Sequence, residues 1–248
     1  MDFKDYFSGA AGAYSRFRPS YPPELFSYLA HTAGGTHRAW DVATGSGQAA
    51  VHLAKYFDEV VGTDASAAQI QNAHAHPRVT YRVESAEQCS LPDASVNLVT
   101  VAQALHWLDL KKFYPEVTRV LHAGGIFAAW SYPLHRVDAE VDPILLEFYE
   151  ETVGPYWPKE RRHVEKRYES LPFPFPLIEA PAFTFTLEWN LNELLGYLGT
   201  WSACQRYRKA TGLDPLALIA PQLQKIWSPE SERRKVTWDL TLKLCRKP

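Results

Sequence analysis

A glycine-containing stretch, Asp41-Val42-Ala43-Thr44-Gly45-Ser46-Gly47-Gln48, joins an apolar run to a run with helical spacing. Glycine suits this position because it permits a tight turn and lets a ligand approach the backbone without a Cβ in the way. The helix that follows presents free N–H groups in its first turn. The stretch therefore predicts a strand, a ligand-binding turn and a helix in direct succession.

The first half of the chain repeats this alternation of apolar runs and helical patterns. We predict strands at 38–44, 60–64, 79–83, 96–102 and 126–130, and helices at 48–57, 66–76 and 110–121. Short apolar strands separated by helices are typical of a parallel sheet covered on both faces. Because such crossovers are right-handed, the pattern predicts an open, doubly wound α/β sheet.

The second half of the chain has a different character. The segment 155–181 is rich in proline and aromatic residues, which predicts irregular structure. Around it, alternating patterns predict strands and helical spacings predict helices. We expect strands at 183–189 and 235–244, and helices at 137–149, 191–209 and 213–227.

Composition argues for one globular domain and against nucleic acid as a partner. The 248 residues are 46% apolar, which suffices for a sizeable core in a single domain spanning 1–248. Proteins that bind nucleic acid usually carry a basic excess, whereas the net charge here is -2. The local basic cluster is interpreted as a solvated helix face and consists of Arg161, Arg162, Lys166 and Arg167.

Cysteine usage and the N-terminal residues bear on compartment. Cys89, Cys204 and Cys245 are far apart and form no Cys-x-x-Cys pair, which predicts neither a metal site nor a disulfide framework. Residues 1–8 carry charges rather than an apolar core, unlike a signal peptide, and no apolar run approaches the length of a membrane span. We therefore expect a cytoplasmic protein with no membrane partner, as a monomer or a homodimer.

A second acid strengthens the prediction of a nucleotide-type site. Asp64 ends the second predicted strand, where a carboxylate can accept two hydrogen bonds from ribose hydroxyls. The distance in sequence from the glycine-rich stretch suits one strand–helix–strand unit.

These motifs resemble the class I S-adenosylmethionine-dependent methyltransferases. More closely, the chain is similar to the small-molecule branch that includes the trans-aconitate methyltransferases, and the match covers roughly 14–132. Besides the glycine-rich stretch, the match includes Tyr14-Ser15-Arg16-Phe17-Arg18-Pro19-Ser20-Tyr21-Pro22, Ser85-Ala86-Glu87, Leu91-Pro92-Asp93, Gln103-Ala104-Leu105-His106-Trp107 and Glu116-Val117-Thr118-Arg119-Val120-Leu121.

The resemblance implies a Rossmann-like, doubly wound, mostly parallel seven-stranded sheet with helices on both faces and an antiparallel final strand. It also implies a helical or irregular cap insertion that covers the cofactor. On this basis we divide the domain into an N-terminal helical flap at 1–36, a cofactor-binding core at 37–132, a cap insertion at 133–182, and C-terminal strands and helices at 183–248 that complete the sheet.

The resemblance also implies S-adenosylmethionine as cofactor, with S-adenosylhomocysteine as product. Asp41 and the backbone of 43–47 would hold the methionine moiety, and Asp64 the ribose. The remaining residues would contact the adenine or the methyl-bearing end. The expected cofactor-binding residues are Tyr14, Arg18, Asp41, Ala43, Gly45, Gly47, Asp64, Ala65, Ala86, Glu87, Gln103 and Ala104.

Three residues depart from the family pattern. Ala43 stands where the family usually has its first glycine, which is tolerable if its φ stays negative. Ser85 occupies a place where many relatives have an acid that reads the adenine amino group. Asn97 replaces a frequent aspartate in the fourth strand.

Two alternatives remain open at the level of sequence. Gly45-Ser46-Gly47-Gln48-Ala49-Ala50 also fits a dinucleotide fingerprint, so an NAD(P)-binding oxidoreductase is the main rival. Asp41 argues against it because a carboxylate there would repel a pyrophosphate. A non-catalytic cofactor-binding protein on the same fold is the other alternative.

The expected reaction is an in-line methyl transfer to a small-molecule acceptor. A carboxylic acid is one candidate for this acceptor. The protein must mainly align the reacting atoms and exclude water, and needs a base only for a proton-bearing acceptor. His106 is the candidate base; a packing role beside Trp107 is the alternative. We predict that acceptor-pocket residues include Tyr6, Tyr132, Trp201, Arg206 and Tyr207.

Overall fold

The computed structural model describes residues 19–248. Tyr14 and Arg18, predicted as cofactor-binding residues, and Tyr6, predicted as an acceptor-pocket residue, lie outside the described residues. The described part of the flap is mainly helix α1, Pro23–Thr32.

A mixed sheet forms the centre of the molecule, as the alternating pattern predicts. The order is β3-β2-β1-β4-β5-β8-β6, with β7 paired to β8. Strands β1 to β5 are parallel, and β8 runs antiparallel to β5. Their bounds are β1 Arg38–Val42, β2 Glu59–Asp64, β3 Val79–Val83, β4 Val96–Ala102, β5 Leu121–Ser131, β6 Leu177–Ile178, β7 Phe183–Trp189 and β8 Arg234–Arg246. The Rossmann-like fold class is confirmed.

The sheet has eight strands rather than the expected seven because its edge is divided. Strands β6 and β7 both pair antiparallel with β8: Ile178 lies opposite Leu244, and Phe183 lies opposite Leu240. The two short strands therefore follow one another along β8 and are interrupted at 179–182. Pro181 falls in this interruption, where a missing N–H removes a ladder hydrogen bond.

The helices lie between the strands, and several are shorter than predicted. The predicted helix at 66–76 covers Ala67–Gln71, and that at 191–209 is two helices separated at Thr200 and Trp201. The segment predicted to be irregular contains one short helix, Arg161–Glu165. The bounds after α1 are α2 Gln48–Leu53, α3 Ala67–Gln71, α4 Leu110–Val120, α5 Val141–Glu147, α6 Arg161–Glu165, α7 Leu191–Gly199, α8 Ser202–Thr211 and α9 Leu216–Ile226.

Two apolar clusters cover the two faces of the sheet. Along β1, Ala39 belongs to one cluster, whereas Trp40 and Val42 belong to the other. Burial on both faces explains why the parallel strands read as continuous apolar runs. In open α/β sheets of this kind, ligands bind at the carboxyl ends of the strands, here those of β1, β2 and β4. No helix in residues 19–248 is long and apolar enough to cross a membrane.

Candidate active site

The glycine-rich turn connects β1 to α2 at the carboxyl edge of the sheet. Gly47 has φ +81° and Gly45 has φ +56°, a conformation that glycine adopts without a steric penalty. A Cβ at Gly47 would overlap the hydroxyl group of Tyr81, which lies over the turn and donates a hydrogen bond to the carbonyl of His74 at 2.9 Å. Both the backbone conformation and the close approach of Tyr81 therefore require glycine at position 47.

Ala43 adopts a conformation that the sequence did not predict. Its φ is +51°, in the left-handed region. An L-residue with a Cβ is strained there by about 1–2 kcal/mol relative to the right-handed conformation. The turn thus keeps the backbone path of a glycine at this position even though alanine occupies it, so the condition of a negative φ is not met.

Asp41 lies at the end of β1 and is fully buried. Thr44 Oγ1 donates to its Oδ2 at 2.5 Å, and Thr100 Oγ1 donates to its Oδ1 at 2.7 Å. Burial raises the pKa of Asp41 to about 6, against these two hydrogen bonds, which lower it. The carboxylate is therefore held in a fixed orientation at a position where a cationic ligand group would be favourable.

Asp64 ends β2 and faces the same turn. Its Oδ2 accepts a hydrogen bond from the Gly45 N–H at 2.9 Å, and its Oδ1 accepts one from the Ser66 N–H at 2.9 Å. These bonds link the end of β2 to the turn and to the first residues before α3. A carboxylate oxygen can accept more than one hydrogen bond, so a carboxylate at this position suits ligand hydroxyl groups.

Buried polar atoms beside the turn indicate the kind of ligand that fits. Ser46 Oγ and Gln69 Oε1 are buried and have no hydrogen-bond partner within residues 19–248. The Gln69 oxygen lies 3.9 Å from the ideal Cβ position of Gly45. Together with Asp41 and Asp64, the turn offers acceptors, which suit the ammonium and hydroxyl groups of S-adenosylmethionine better than the anionic pyrophosphate of a dinucleotide.

The residues expected at the adenine and methyl-bearing ends follow β2, β3 and β4. Ala65 is exposed directly after Asp64, and Ala86 is buried after β3. Glu87 is tied to the start of α4 because its Oε1 accepts a hydrogen bond from the Asp109 N–H at 3.2 Å. Ala104 precedes a 3-10 turn at 105–107.

Gln103 extends the pairing of β4 with β5 beyond the strand ends. Its N–H donates to Trp130 O at 2.8 Å, its Nε2 donates to Tyr132 O at 3.1 Å, and its Oε1 accepts from Tyr132 N at 3.3 Å. Its φ is +54°. The side chain thereby fixes the start of the segment after β5. Gln103 therefore has a structural role in addition to its expected position near the methyl group.

An aromatic cleft lies beside this end of the sheet, with a volume of about 540 Å³ when its open mouth is included. Of the predicted pocket residues, Tyr132 and Trp201 line it, and His106 and Gln103 lie in its wall. The complete lining is Gln103, His106, Trp107, Tyr132, Pro133, Leu134, Trp157, Arg161, Tyr197, Trp201 and Ser202. The structure thus brings residues from the segment after β4, the segment after β5, the cap insertion and the α7–α8 region to one cavity.

Arg161 is the cationic side chain in this lining, and the sequence did not single it out as part of the site. Its guanidinium lies 4.9 Å from the centre of the Trp157 ring, and its Nε donates to Tyr149 Oη at 3.0 Å. Within the described part of the chain, Arg161 forms no ion pair with a carboxylate. The interpretation of the whole basic cluster as a solvated helix face is therefore wrong for this residue.

The other two predicted pocket residues lie elsewhere on α8. Arg206 is exposed, and Tyr207 packs edge-on against Tyr156 with ring centres 4.9 Å apart. Neither is part of the cleft lining. Helix α8 instead contributes Ser202 from its first turn, and Trp201 precedes it.

His106 is buried in the cleft wall on the 3-10 turn. Its Nδ1 lies 3.0 Å from Tyr168 Oη, and its ring packs on Trp107. Burial, together with the positive charge of Arg161, holds the pKa of His106 well below its usual range. The imidazole is therefore neutral at physiological pH. No group of His, Cys, Asp or Glu suited to a metal ion occurs in residues 19–248.

Comparison with known proteins adds the family context. Residues 40–129 match a family described as a methyltransferase domain. A protein of Dictyostelium discoideum, provisionally named a methyltransferase, is 36% identical over 229 residues, which cover 91% of this chain and 87% of the relative.

Two solved structures of methyltransferases are also similar to this chain. A protein of Anaeromyxobacter dehalogenans, provisionally described as a type II methyltransferase, has 46% sequence identity and a TM-score of 0.86, with 93% of this chain and 98% of that chain covered. A phosphoethanolamine N-methyltransferase of Haemonchus contortus, solved with S-adenosylhomocysteine, shares the fold at 16% identity and a TM-score of 0.52, with 100% of this chain and 60% of that chain covered.

Proposed function

This chain belongs to the class I S-adenosylmethionine-dependent methyltransferases, and on that premise we propose that it methylates a small carboxylic acid bound in the aromatic cleft. The observation that carries the proposal is Arg161, a guanidinium that lines the cleft without an ion-pair partner among the described residues. A planar guanidinium matches a carboxylate in a bidentate way.

The residues around Arg161 pre-orient its guanidinium for binding an anion. The Trp157 ring lies under the guanidinium, and Tyr149 Oη accepts from Nε, which leaves the outer nitrogen atoms available to a ligand. Because fewer side-chain rotamers remain to be frozen, binding costs less entropy than it would for a free arginine. The bulky walls of Tyr132 and Trp201 favour a small acceptor over a macromolecule.

The two halves of the site have separate tasks in this proposal. Asp41, Asp64 and the turn at 43–47 hold S-adenosylmethionine, and Gln103 and Ala104 lie toward its methionine end. When bound, the cofactor supplies a methyl group activated by the positive charge of its sulfonium. The protein then has to orient the acceptor and exclude water, since a carboxylate is already ionised and needs no base.

The test is S-adenosylhomocysteine release with a panel of small carboxylic acids, each paired with its amide and its alcohol. We expect turnover with at least one acid and none with its neutral partners. Arg161→Gln should raise the KM for that acid about 10-fold or more, because a charge-assisted hydrogen bond contributes about 1.5–3 kcal/mol.

Arg206→Gln is the matched control, because it removes an exposed arginine outside the cleft. It should leave the KM for the acid and the KM for S-adenosylmethionine unchanged. Turnover of amines or alcohols in preference to acids, or equal effects of the two arginine variants, would contradict the proposal.

A further inference from the structure

Tyr168 makes a contact from the cap insertion to the wall of the cleft. It follows α6, is fully buried, and has a φ of +57°. Its hydroxyl lies 3.0 Å from His106 Nδ1. Strain of this kind persists in a folded chain when the surrounding contacts determine the conformation.

The protons of this pair can be assigned by counting donors and acceptors. Burial raises the pKa of Tyr168 well above its usual range, so the phenol keeps its proton, and His106 is neutral with a single ring proton. A buried phenol proton needs an acceptor, since leaving it unpaired costs about 1–3 kcal/mol. His106 Nδ1 is the acceptor in hydrogen-bond contact with it.

The opposite arrangement, with His106 Nδ1–H donating to the phenol, is less favourable. The backbone N–H groups of Leu105 and His106 already approach the Tyr168 oxygen and favour negative charge on it. A third donor would crowd that oxygen and leave the phenol proton without a partner. Ser131 Oγ, buried nearby, also favours negative charge on the Tyr168 oxygen, but its geometry gives no hydrogen bond within residues 19–248, so His106 Nδ1 remains the acceptor of the phenol proton.

We propose that Tyr168 is a positioning residue that fixes His106 as the Nε2–H tautomer, so that His106 donates a hydrogen bond into the cleft rather than acting as a base. With Nδ1 occupied by Tyr168, Nε2 is the ring nitrogen left to the cleft that His106 lines. The hydrogen bond from His106 to an oxygen of the methyl acceptor rests on the proposed function. The assignment of the tautomer does not.

This assignment makes His106 a neutral hydrogen-bond donor beside the cationic Arg161 and removes it as a base. Arg161 supplies charge, and the His106 Nε2–H supplies a directed hydrogen bond to an oxygen of the acceptor. Such a pair suits an acceptor that arrives ionised, because the oxygen attacking the methyl group needs no deprotonation. Methyl transfer then forms the oxygen–carbon bond, breaks the sulfur–carbon bond and leaves neutral ester and thioether products.

The tautomer can be read directly by long-range 1H–15N NMR of the 15N-histidine-labelled protein, without any acceptor. The His106 signals are assigned by their loss in His106→Gln, with His163→Gln as the control for the neighbouring histidine. We expect the Nε2–H pattern at neutral pH in the wild-type protein and a mixed pattern in Tyr168→Phe. An Nδ1–H pattern in the wild-type protein would overturn the proposal.

Kinetics with an acid that the wild-type protein methylates test the donor role. Gln places an N–H near the position of Nε2, whereas Asn places its amide near Nδ1. His106→Gln should stay within about threefold of wild-type turnover, and His106→Asn should lose about 10-fold or more. Equal loss in both variants would indicate a base and overturn the donor role. Absence of any methylated acid would count against the proposed function while leaving the NMR result in force.

Discussion

At the scale of single residues, the position of Asp41 is favourable for binding a cationic ligand group. The same position is unfavourable for the stability of the fold when the carboxyl group is ionised. It is fully buried, and its hydrogen bonds come from two neutral hydroxyl groups. The pKa of about 6 lies above the ordinary value of 3.8, so the folded protein holds this proton more tightly than the unfolded chain does. The ionised carboxylate therefore destabilises the fold above pH 6 and does not do so below pH 4.

Asp41→Asn should remove this pH-dependent cost. We expect the difference in free energy of unfolding between variant and wild type to shift in favour of the variant by about 2 kcal/mol between pH 4 and pH 7. Urea titrations at several pH values measure it, and a difference independent of pH would contradict the assignment. Cofactor affinity should fall in the same variant, because the carboxylate charge is lost.

Residue-level prediction succeeded where chemistry is tied to a local motif and failed where contacts are long-range. The motif predicted that Asp41, Asp64 and the two glycines lie close together, and the Gly45 N–H does donate to Asp64; their role in binding stays a prediction. The choice of Arg206 over Arg161 as a pocket arginine had no local signal to guide it. The place of Arg161 in the cleft depends on His106 and Trp201, which are far from it in sequence and share the cleft lining with it.

At the scale of elements, α7 shows how a local signal positions a cleft residue. Asn190 Oδ1 accepts from the Glu193 N–H at 3.0 Å, and the Glu193 carboxylate accepts from the Asn190 N–H at 2.8 Å. This capping box fixes the start of the helix that carries Tyr197 to the cleft. Its signature is local in sequence.

Asn190→Ala should lower the free energy of unfolding by about 1 kcal/mol, since the first turn of α7 loses its side-chain acceptor. Asn190→Ser retains an acceptor oxygen and should stay close to wild type. Denaturant titrations compare the three proteins, and equal losses in both variants would show that the cap is not the cause.

The end of α7 was harder to predict than its start. Helical spacing continues from 191 to 209, yet the chain turns at Thr200 and Trp201, where Trp201 has extended backbone angles. Burial of the Trp201 ring among Tyr197, Trp157 and Phe148 favours the break. Such tertiary packing overrides the periodic pattern, which records only which residues are apolar.

At the scale of the whole molecule, cofactor binding and folding are linked. A ligand that binds only the folded state stabilises it by about 2.7 kcal/mol at 100 times its Kd. For a chain of this size, S-adenosylhomocysteine at that concentration should raise Tm by about 5–10 °C. NAD at the same concentration should leave Tm unchanged. A shift with NAD alone would contradict the cofactor assignment.

The same measurement separates binding from turnover. A non-catalytic protein on this fold would show the Tm shift with S-adenosylhomocysteine and release no product with any acceptor.

The overall architecture was predictable because alternating strands and helices admit few topologies. The division of the edge strand into β6 and β7 was not, because it depends on where both pieces meet β8.

The placement of the cleft has a consequence for how this protein diverges from its relatives. The matched family segment ends at residue 129, just before β5 ends. Of the cleft residues, only Gln103, His106 and Trp107 fall inside that segment. If the cleft binds the acceptor as proposed, mutations after β5 can change which compound is methylated without touching the glycine-rich turn, so acceptor selectivity and donor binding can evolve at different rates.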